Sequence, residues 1–362
     1  MRILDRYLLG ALLASMLFTL LALSLIFIVV NLIESLDRFL DQRADGWTIA
    51  VYYIYFLPEI VKLLLPVTVL VAVLFAVGKL TESYETTAMK SAGMSLYRIM
   101  APIILLCSAL SAGHLYFNGW IVPRVLTKKF AIERQYLGRN SGGFQEQLYN
   151  LYLRDTPKRI VAIGFYDLRS QRGKDLSVEE YSDDMLPHPV RRIDALSFRW
   201  DSATNEWIAE QCFIRAFDSG VVRSAYHTEL ALPLATDHNR LRTLQRSMEE
   251  MTLTEQADYI DFLRRGGRNT RQLDIAHAGD YAFPLANVIV ALIAAPFASI
   301  KKRSGLAANI AAAMTMTFSY LVLTKVTQAL GMETTLPPEL VGWSANIIFT
   351  IVAAIVLIRT PT

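Results

Sequence analysis

The sequence predicts a membrane protein with six transmembrane helices and one large antiparallel β domain, of jelly-roll type, outside the membrane. Six apolar runs are each about 18 residues or longer, which is enough for a helix to cross ~30 Å of hydrocarbon. A long polar stretch separates the third run from the fourth, and basic residues of the short loops fall mostly on one side. The six runs are 7–33, 49–78, 99–122, 283–300, 306–330 and 341–358.

The composition supports the membrane prediction. Apolar residues make up 53% of the chain and charged residues 19%, whereas soluble domains are roughly half apolar and a quarter charged. The net charge of +3 says little about partners, because it sums compartments that do not meet. We expect no nucleic-acid partner. Arg2 and Arg6 give the first run the basic start of a signal peptide. The run is too long for one and no small-x-small site follows it, so we expect a retained helix.

The short loops predict the orientation of the helices. The loop from 331 to 340 carries no basic residue, and Arg38 and Arg43 in the first loop are offset by four acidic neighbours. We therefore expect both termini in the cytoplasm and the polar stretch from about 123 to 281 outside. The basic residues on the cytoplasmic side are Arg2, Arg6, Lys79, Lys90, Arg98, Lys301, Lys302, Arg303 and Arg359.

The polar stretch is predicted to form mostly β-strands. Residues 159–168 and 192–200 carry β-branched and aromatic side chains in partial alternation. The turn formers at 201–206 precede Trp207, Ile208 and the run 212–217, a pattern that predicts a hairpin followed by another strand, and Ser219-Gly220 marks the next turn. Short strands at this spacing favour an antiparallel sandwich or a jelly roll.

A helix is predicted to return the chain to the membrane. Thr252 to Glu255 form a capping box, apolar residues follow at helical spacing, and the pattern stops at Gly266-Gly267. The cytoplasmic loop is predicted to contain a second short helix at about 82–93, because no turn residue precedes Gly93. The resulting domains are 1–125 for the first three helices, 126–250 for the β domain, 251–280 for the linker helix and 281–362 for the last three helices.

The sequence lacks the common catalytic motifs. It contains no GxxxxGK[ST] phosphate loop, so we expect no P-loop ATPase activity, and no HExxH or GxSxG motif. The five histidines are scattered. Cys107 and Cys212 lie in different predicted regions, so no disulfide or metal-ligand set is available. We therefore predict a protein that is not an enzyme and has no cofactor or metal.

Ionisable residues inside the predicted helices are the first candidate site. Glu59 and Lys62 lie three residues apart, on one face of the second helix, between Pro58 and Pro66. Either the two charges neutralise each other or Lys62 contacts an anionic lipid headgroup. Lys325 in the fifth helix either lies near the interface or faces a cavity.

Basic residues directly after the third helix are the second candidate. Arg124, Lys128, Lys129 and Arg134 lie on the outer side, where long domains are translocated despite such charge. They form either a solvated extension of the helix or a patch that meets phosphate groups at the outer leaflet.

Six segments, taken in chain order, resemble one known family. They are LDRY (4–7), ETTAMKSAGMSLYRI (85–99), FNGWIVPR (117–124), FPLANVIVALIAAPFA (283–298), KKRSG (301–305) and LPPELVGWSANIIF (336–349). Together they resemble the lipopolysaccharide export permease family LptF/LptG, also called YjgP/YjgQ, over nearly the whole chain. The first and last segments favour the LptG side. Gly119, at a position that is often acidic, and HAGDY (277–281), where relatives carry a basic segment, depart from the family pattern.

The resemblance implies a permease in the bacterial inner membrane with a periplasmic jelly roll. It further implies a paralogous six-helix permease (LptF-like) and a dimeric cytoplasmic ATPase (LptB-like) as partners. Periplasmic bridge proteins (LptC-like and LptA-like) and lipopolysaccharide as the substrate are also implied. The residues expected to couple to the ATPase are Glu85, Met89, Ala92 and Gly93. Those expected at the outer rim of the cavity, where lipid A phosphates would bind, are Arg38, Lys62, Arg124, Lys128 and Lys129.

Three other classes remain as alternatives. A lipoprotein-release or mechanotransmission subunit of an ABC system also joins helices to a large periplasmic domain, but usually has four helices with the domain after the first. A membrane enzyme would need clustered polar residues at one membrane face. A secondary transporter would need coupling groups within the membrane, and only Glu59, Lys62 and Lys325 suggest them.

Overall fold

A computed structural model of the chain describes residues 3–137, 147–218, 221–243, 246–299 and 306–360. The chain divides into two compact units, which are described separately. The first unit comprises Met1–Gly138, Glu249–Leu253 and Arg271–Thr362, and the second comprises Arg139–Met248 and Thr254–Thr270. The predicted basic turn at 301–305 and the predicted turn at 219–220 lie outside the described residues.

The first unit is built from long helices, and the second contains the β-strands with α5 and nearly all of α6. The helices are α1 (Ile3–Asp41), α2 (Gly46–Glu82), α3 (Glu85–Ser91), α4 (Leu96–Leu137), α5 (His238–Thr243), α6 (Leu253–Arg265), α7 (Arg271–Ser299), α8 (Leu306–Leu330) and α9 (Pro338–Arg359). Two π-helical turns, Phe117–Ile121 and Glu133–Leu137, lie within α4, and a 3₁₀ turn, Phe283–Leu285, lies within α7.

Five helices of the described chain are long and apolar enough to cross a membrane: α1, α2, α4, α7 and α9. This confirms a helical membrane part. The helix α8 is 25 residues long and is the place of the predicted sixth crossing, which stays a prediction. The first two helices have 39 and 37 residues, and a helix rises 1.5 Å per residue. They are therefore longer than ~30 Å of hydrocarbon requires.

The helices of the first unit differ in burial. In α7, 72% of the most apolar 18-residue window is buried, and small residues such as Ala291, Ala294 and Ala295 let α2 and α4 pack closely around it. In α1 the corresponding share is 11%. Leu8 and Leu12 of α1 join the core, whereas Leu17, Phe18 and many later residues are exposed. The long apolar face of α1 therefore has no partner within the described chain.

The second unit contains one six-stranded antiparallel sheet. Its strands are β1 (Gln147–Thr156), β2 (Arg159–Asp167), β3 (Arg172–Tyr181), β4 (Pro189–Asp201), β5 (Glu206–Asp218) and β6 (Val221–Leu232). Their order in the sheet is their order in the chain. The β domain and the hairpin between Asp201 and Glu206 are confirmed. The jelly-roll prediction is wrong for the described strands: consecutive strands are neighbours, so the long return connections of a Greek key are absent.

One face of the sheet holds a separate hydrophobic core. The hydroxyl of Tyr166 lies 2.8 Å from Nδ1 of His238 on α5, and the ring of Tyr166 stacks on Phe198. Trp207 is also buried there, and its Nε1 donates to the carbonyl of Thr236 at 2.7 Å. The strands β1, β3 and β6 are absent from the sequence prediction. In β3 the apolar residues are diluted by five charged ones.

Candidate functional site

The N-terminal half of α2 takes part in a charge cluster centred on the buried Lys129, which we call the Lys129 cluster (Lys129, Glu59, Glu133 and Tyr52). Nζ of Lys129 on α4 lies 2.7 Å from Oε2 of Glu59 on α2 and 3.4 Å from Oε1 of Glu133. The hydroxyl of Tyr52 donates to the same Oε1 at 2.8 Å. The Lys129 side chain is only 6% exposed. Its ammonium is therefore occupied by two carboxylates, and the cluster joins α4 to α2.

Aromatic rings complete the surroundings of Lys129. Its Nζ lies 4.5 Å from the centroid of the Phe56 ring and 4.9 Å from that of Phe130. Such contacts attract a cation to the face of a ring, and more strongly where water is excluded. The same aromatic cluster includes Phe39 of α1, whose ring lies 5.3 Å from that of Tyr52. The end of α1 is thus held beside the Lys129 cluster.

Lys62 lies one helical turn after Glu59 but has a different partner. Its Nζ is 3.7 Å from Oδ1 of Asp280 on α7, and the two side chains are 27% and 31% exposed. The alternative in which Glu59 neutralises Lys62 is wrong, because α4 brings Lys129 to Glu59 and α7 brings Asp280 to Lys62. The three-residue spacing of Glu59 and Lys62 on one helix face did not decide which charges pair. The neighbouring helices α4 and α7 decided it.

The other predicted rim residues are exposed. Arg38, Arg124 and Lys128 all lie on the surface, and none has an ion pair among the described residues. Nζ of Lys128 lies 5.5 Å from the centroid of the Tyr55 ring on α2. Since Tyr55 and Phe56 are adjacent, Lys128 lies near the Lys129 cluster but points to the surface. The site therefore combines a buried cation with exposed ones.

Carboxylates near the site were not predicted as members of it. Glu133 follows Lys129 by four residues, a spacing that signals a helical ion pair. Arg134, the last residue of the predicted basic cluster, pairs through both terminal nitrogens with Glu250, at 3.2 and 3.4 Å. Nothing in the local sequence links Glu250 or Asp280 to the basic residues, because only tertiary packing brings them close.

The predicted coupling segment forms a short helix at the opposite end of α2. Ser83 follows the last residue of α2 as its C-cap, and its Oγ donates to Oε1 of Glu85 at 2.9 Å. Tyr84 adopts a left-handed conformation with φ of 62°, which separates α2 from α3. The helix α3 is therefore Glu85–Ser91, shorter than the predicted 82–93. Gly93 follows it with φ of 80°, a backbone geometry that glycine adopts without strain.

The four predicted coupling residues have different exposures. Glu85 is half-buried, and Met89 packs against the hydrophobic core of the first unit. Ala92 and Gly93 are exposed. Thr86 is buried, and its hydroxyl lies 3.3 Å from that of Thr81 at the end of α2. One side of α3 is thus fixed to the first unit, and the other side faces outward.

An ion pair connects the region after α3 to α1. Ser95 caps α4, and Nη2 of Arg98 in its first turn donates to Oδ2 of Asp5 at 3.0 Å. Asp5 belongs to the LDRY segment. The contact joins the coupling region to the helix whose apolar face is exposed. No group of three or more His, Cys, Asp or Glu residues that could hold a metal ion occurs in the part of the chain described here.

Comparison with known proteins agrees with these observations. The family described as "Lipopolysaccharide export system permease LptF/LptG" matches residues 6–359. A curated relative, the lipopolysaccharide export system permease protein LptG of Haemophilus influenzae, is 18% identical over 294 residues. The alignment covers 81% of this chain and 80% of the relative. Because the family match extends over nearly the whole chain, both units included, the chain belongs to the lipopolysaccharide export permease family LptF/LptG.

Proposed function

We propose that this protein is a permease subunit of the ABC transporter that extracts lipopolysaccharide from the inner membrane and passes it to a periplasmic bridge. The family is one of inner-membrane permeases and not of enzymes. The observation that carries the proposal is that Arg38 lies near the end of α1, whose apolar face is exposed, and that Lys62, Arg124 and Lys128 are accessible cations on the neighbouring helices α2 and α4. Lipid A offers phosphates to the cations and acyl chains to the apolar face.

Lys129 has a different role in this proposal. Two carboxylates and two aromatic rings surround its ammonium, so a phosphate would have to break a buried pair to reach it. Removing one partner of a buried ion pair is strongly unfavourable. Lys129 therefore fixes α4 against α2 and places Lys128 and Arg124 on the surface. The remaining four cations are the proposed phosphate ligands.

The partner in the membrane is a paralogous permease. Large apolar residues are exposed along α1, from Leu17 to Ile33, and again on α8 at Phe318 and Val322. A second helical subunit packed on these faces would enclose a cavity that lipid enters from the side. LDRY and the α9 segment, together with the relative named LptG, support a place on the LptG side of the family, so the expected partner is LptF-like.

The proposed topology has both termini in the cytoplasm and the β domain in the periplasm, where it meets LptC-like and LptA-like bridge proteins. The cytoplasmic face then includes α3, which contacts an LptB-like ATPase dimer. Cysteine labelling tests this arrangement. Ser202→Cys, in the exposed β4–β5 turn, is expected to react with an impermeant maleimide in spheroplasts, whereas Ser91→Cys is not. The native Cys107 and Cys212 are buried. Labelling of Ser91→Cys would contradict the topology.

Photo-crosslinking tests the transport function. A photoreactive residue at Ile33, which is 70% exposed on α1, is expected to crosslink to lipopolysaccharide in membranes. Less adduct should form when ATP is present during irradiation. A matched probe at Leu196, an exposed residue of the β domain, controls for random adducts. Adducts to a lipoprotein in place of lipopolysaccharide would support the lipoprotein-release alternative.

Assembly with the ATPase is tested at Glu85. Its charge is reversed in Glu85→Arg, which we expect to release or uncouple the ATPase, because Glu85 begins the helix that faces outward. The control is Glu339→Arg, the same change at an exposed position in the first turn of α9. Copurification of the ATPase and lipopolysaccharide-stimulated ATP hydrolysis are the measurements. Unchanged assembly and transport in Glu85→Arg would rule out the docking role of α3.

A further inference from the structure

Asp280 and Lys62 form an ion pair that a ligand can open. The distance of 3.7 Å between Nζ and Oδ1 is longer than a hydrogen bond, and both side chains are partly exposed. In the Lys129 cluster the shortest contact is 2.7 Å and the lysine is buried. Exposed or partly exposed pairs contribute little to stability because water competes with the partner. Lys62 is thus occupied but accessible.

The backbone of Asp280 is held in place by close packing. Asn118 of α4, which is 4% exposed, donates to the carbonyl of Asp280 at 3.2 Å. A Cβ at Gly342 of α9 would lie 2.6 Å from Cβ of Ala278 on α7 and 3.0 Å from the backbone nitrogen of Gly279. Gly342 therefore lets α9 pack directly against the backbone of α7. The carboxylate can therefore leave Lys62 by rotation of its side chain, whereas the helix that carries it is fixed.

We infer that Asp280 is a specificity-determining residue, which keeps singly charged lipid headgroups away from Lys62 and admits phosphate monoesters. This inference rests on the proposed function. A phosphodiester headgroup carries one negative charge, as the Asp280 carboxylate does, so it gains little by replacing a partner that is already positioned. A phosphate monoester carries ~1.5 to 2 negative charges and three strong acceptor oxygens, so it displaces the carboxylate.

Such a competitor is needed because ordinary phospholipids greatly outnumber any transported lipid. Specificity is a difference between two affinities, and it can be raised by weakening the unwanted complex. An unpaired Lys62 would bind any anionic headgroup through its point charge. With Asp280 opposite, only a ligand that carries more negative charge than a carboxylate gains binding free energy by displacing it from Lys62.

The experiment uses the purified transporter complex in nanodiscs, with a photoreactive residue at the exposed Leu63 next to Lys62. The probes are lipopolysaccharide with phosphorylated lipid A and the phosphodiester lipid phosphatidylglycerol as competitor. In Asp280→Asn, the phosphatidylglycerol concentration that halves the lipopolysaccharide adduct is expected to fall roughly fivefold, the effect of one accessible charge pair. Asp280→Glu keeps the charge and should keep most of the selectivity. Glu339→Gln removes an exposed acid elsewhere and should change nothing.

The outcomes separate this inference from the proposed function. If the wild-type complex gives no lipopolysaccharide adduct from Leu63 or Ile33, the proposed function fails. If the wild type gives the adduct but Asp280→Asn competes with phosphatidylglycerol as the wild type does, only the selectivity role of Asp280 is wrong. Loss of assembly in Asp280→Asn would make the pair a structural contact and would also overturn the inference.

Discussion

Lys129 and Lys62 lie near the same end of the first unit, yet the fold holds them in opposite ways. Lys129 is buried between two carboxylates, one of them at 2.7 Å, and two aromatic rings. Lys62 faces one carboxylate at 3.7 Å and is partly exposed. The first arrangement fixes two helices together, whereas the second leaves a cation that a ligand can reach. Burial and the number of partners, rather than charge alone, separate a structural lysine from a binding one.

The largest effect is expected from Lys129→Ala, which would leave the buried Glu133 and the partly exposed Glu59 without their cation. Breaking a buried ion pair costs about 3–5 kcal/mol of folding free energy. The thermal unfolding temperature of the purified protein in detergent should fall clearly. The control is Lys128→Ala, the exposed neighbour, which should unfold as the wild type does. Equal stability of the two variants would remove the contrast between buried and exposed lysines.

A smaller effect, on binding and not on stability, is expected from Lys62→Ala. A hydrogen bond to a charged group contributes ~1.5–3 kcal/mol, and less where water competes. Photo-crosslinking of lipopolysaccharide from Leu63 should weaken, while thermal stability and ATPase assembly stay unchanged. Lys79→Ala, an exposed lysine at the other end of α2, is the matched control. A loss of stability comparable to that of Lys129→Ala would show that Lys62 is also structural.

The pair Arg98–Asp5 combines one partly exposed side chain with one that is mostly buried, since the two are 38% and 12% exposed. We expect a coupling energy of about 0.5–1 kcal/mol in a double-mutant cycle of Arg98→Ala and Asp5→Ala. Each single charge reversal, Arg98→Asp or Asp5→Arg, should reduce the lipopolysaccharide release that accompanies ATP hydrolysis. The swapped variant Arg98→Asp/Asp5→Arg should recover part of that release. If the swap is no better than the single reversals, the pair does not connect α4 to α1 in the way proposed.

The smallest effect concerns one histidine of the second unit, His238. Burial, chiefly, lowers the pKa of His238, whose Nδ1 can accept from the Tyr166 hydroxyl when the ring is neutral. Because the folded pKa lies below the unfolded value of about 6.5, the stabilisation is present above that pH and is lost as pH falls below it. Amide protection of β2, corrected for intrinsic exchange rates, should decrease from pH 7.5 to 5.5. His238→Gln should reduce this dependence, whereas the exposed His188→Gln should not. A pH dependence that persists in His238→Gln would assign it to other groups.

Local patterns predicted much of the secondary structure. Runs of apolar residues long enough to cross hydrocarbon correspond to α1, α2, α4, α7 and α9. Alternating β-branched and aromatic residues correspond to β2, β4 and β5, whereas β3 carries too many charged residues for this signal. The order of the strands did not follow from their spacing. A jelly roll and a meander can share the same strands and differ only in how the strands are connected.

The sequence by itself determined that the chain has membrane helices and a β domain. Its six motif segments, in their order along the chain, pointed to the LptF/LptG family. These properties depend on hydrophobic run lengths, strand alternation and local motifs, which are all short-range. Only the tertiary structure decided which cations have a carboxylate partner, and which carboxylate that is. Lys129 meets Glu59 across 70 residues of chain, and Lys62 meets Asp280 across a still longer separation. An ion pair depends on distance and burial in space, and helix packing fixes both.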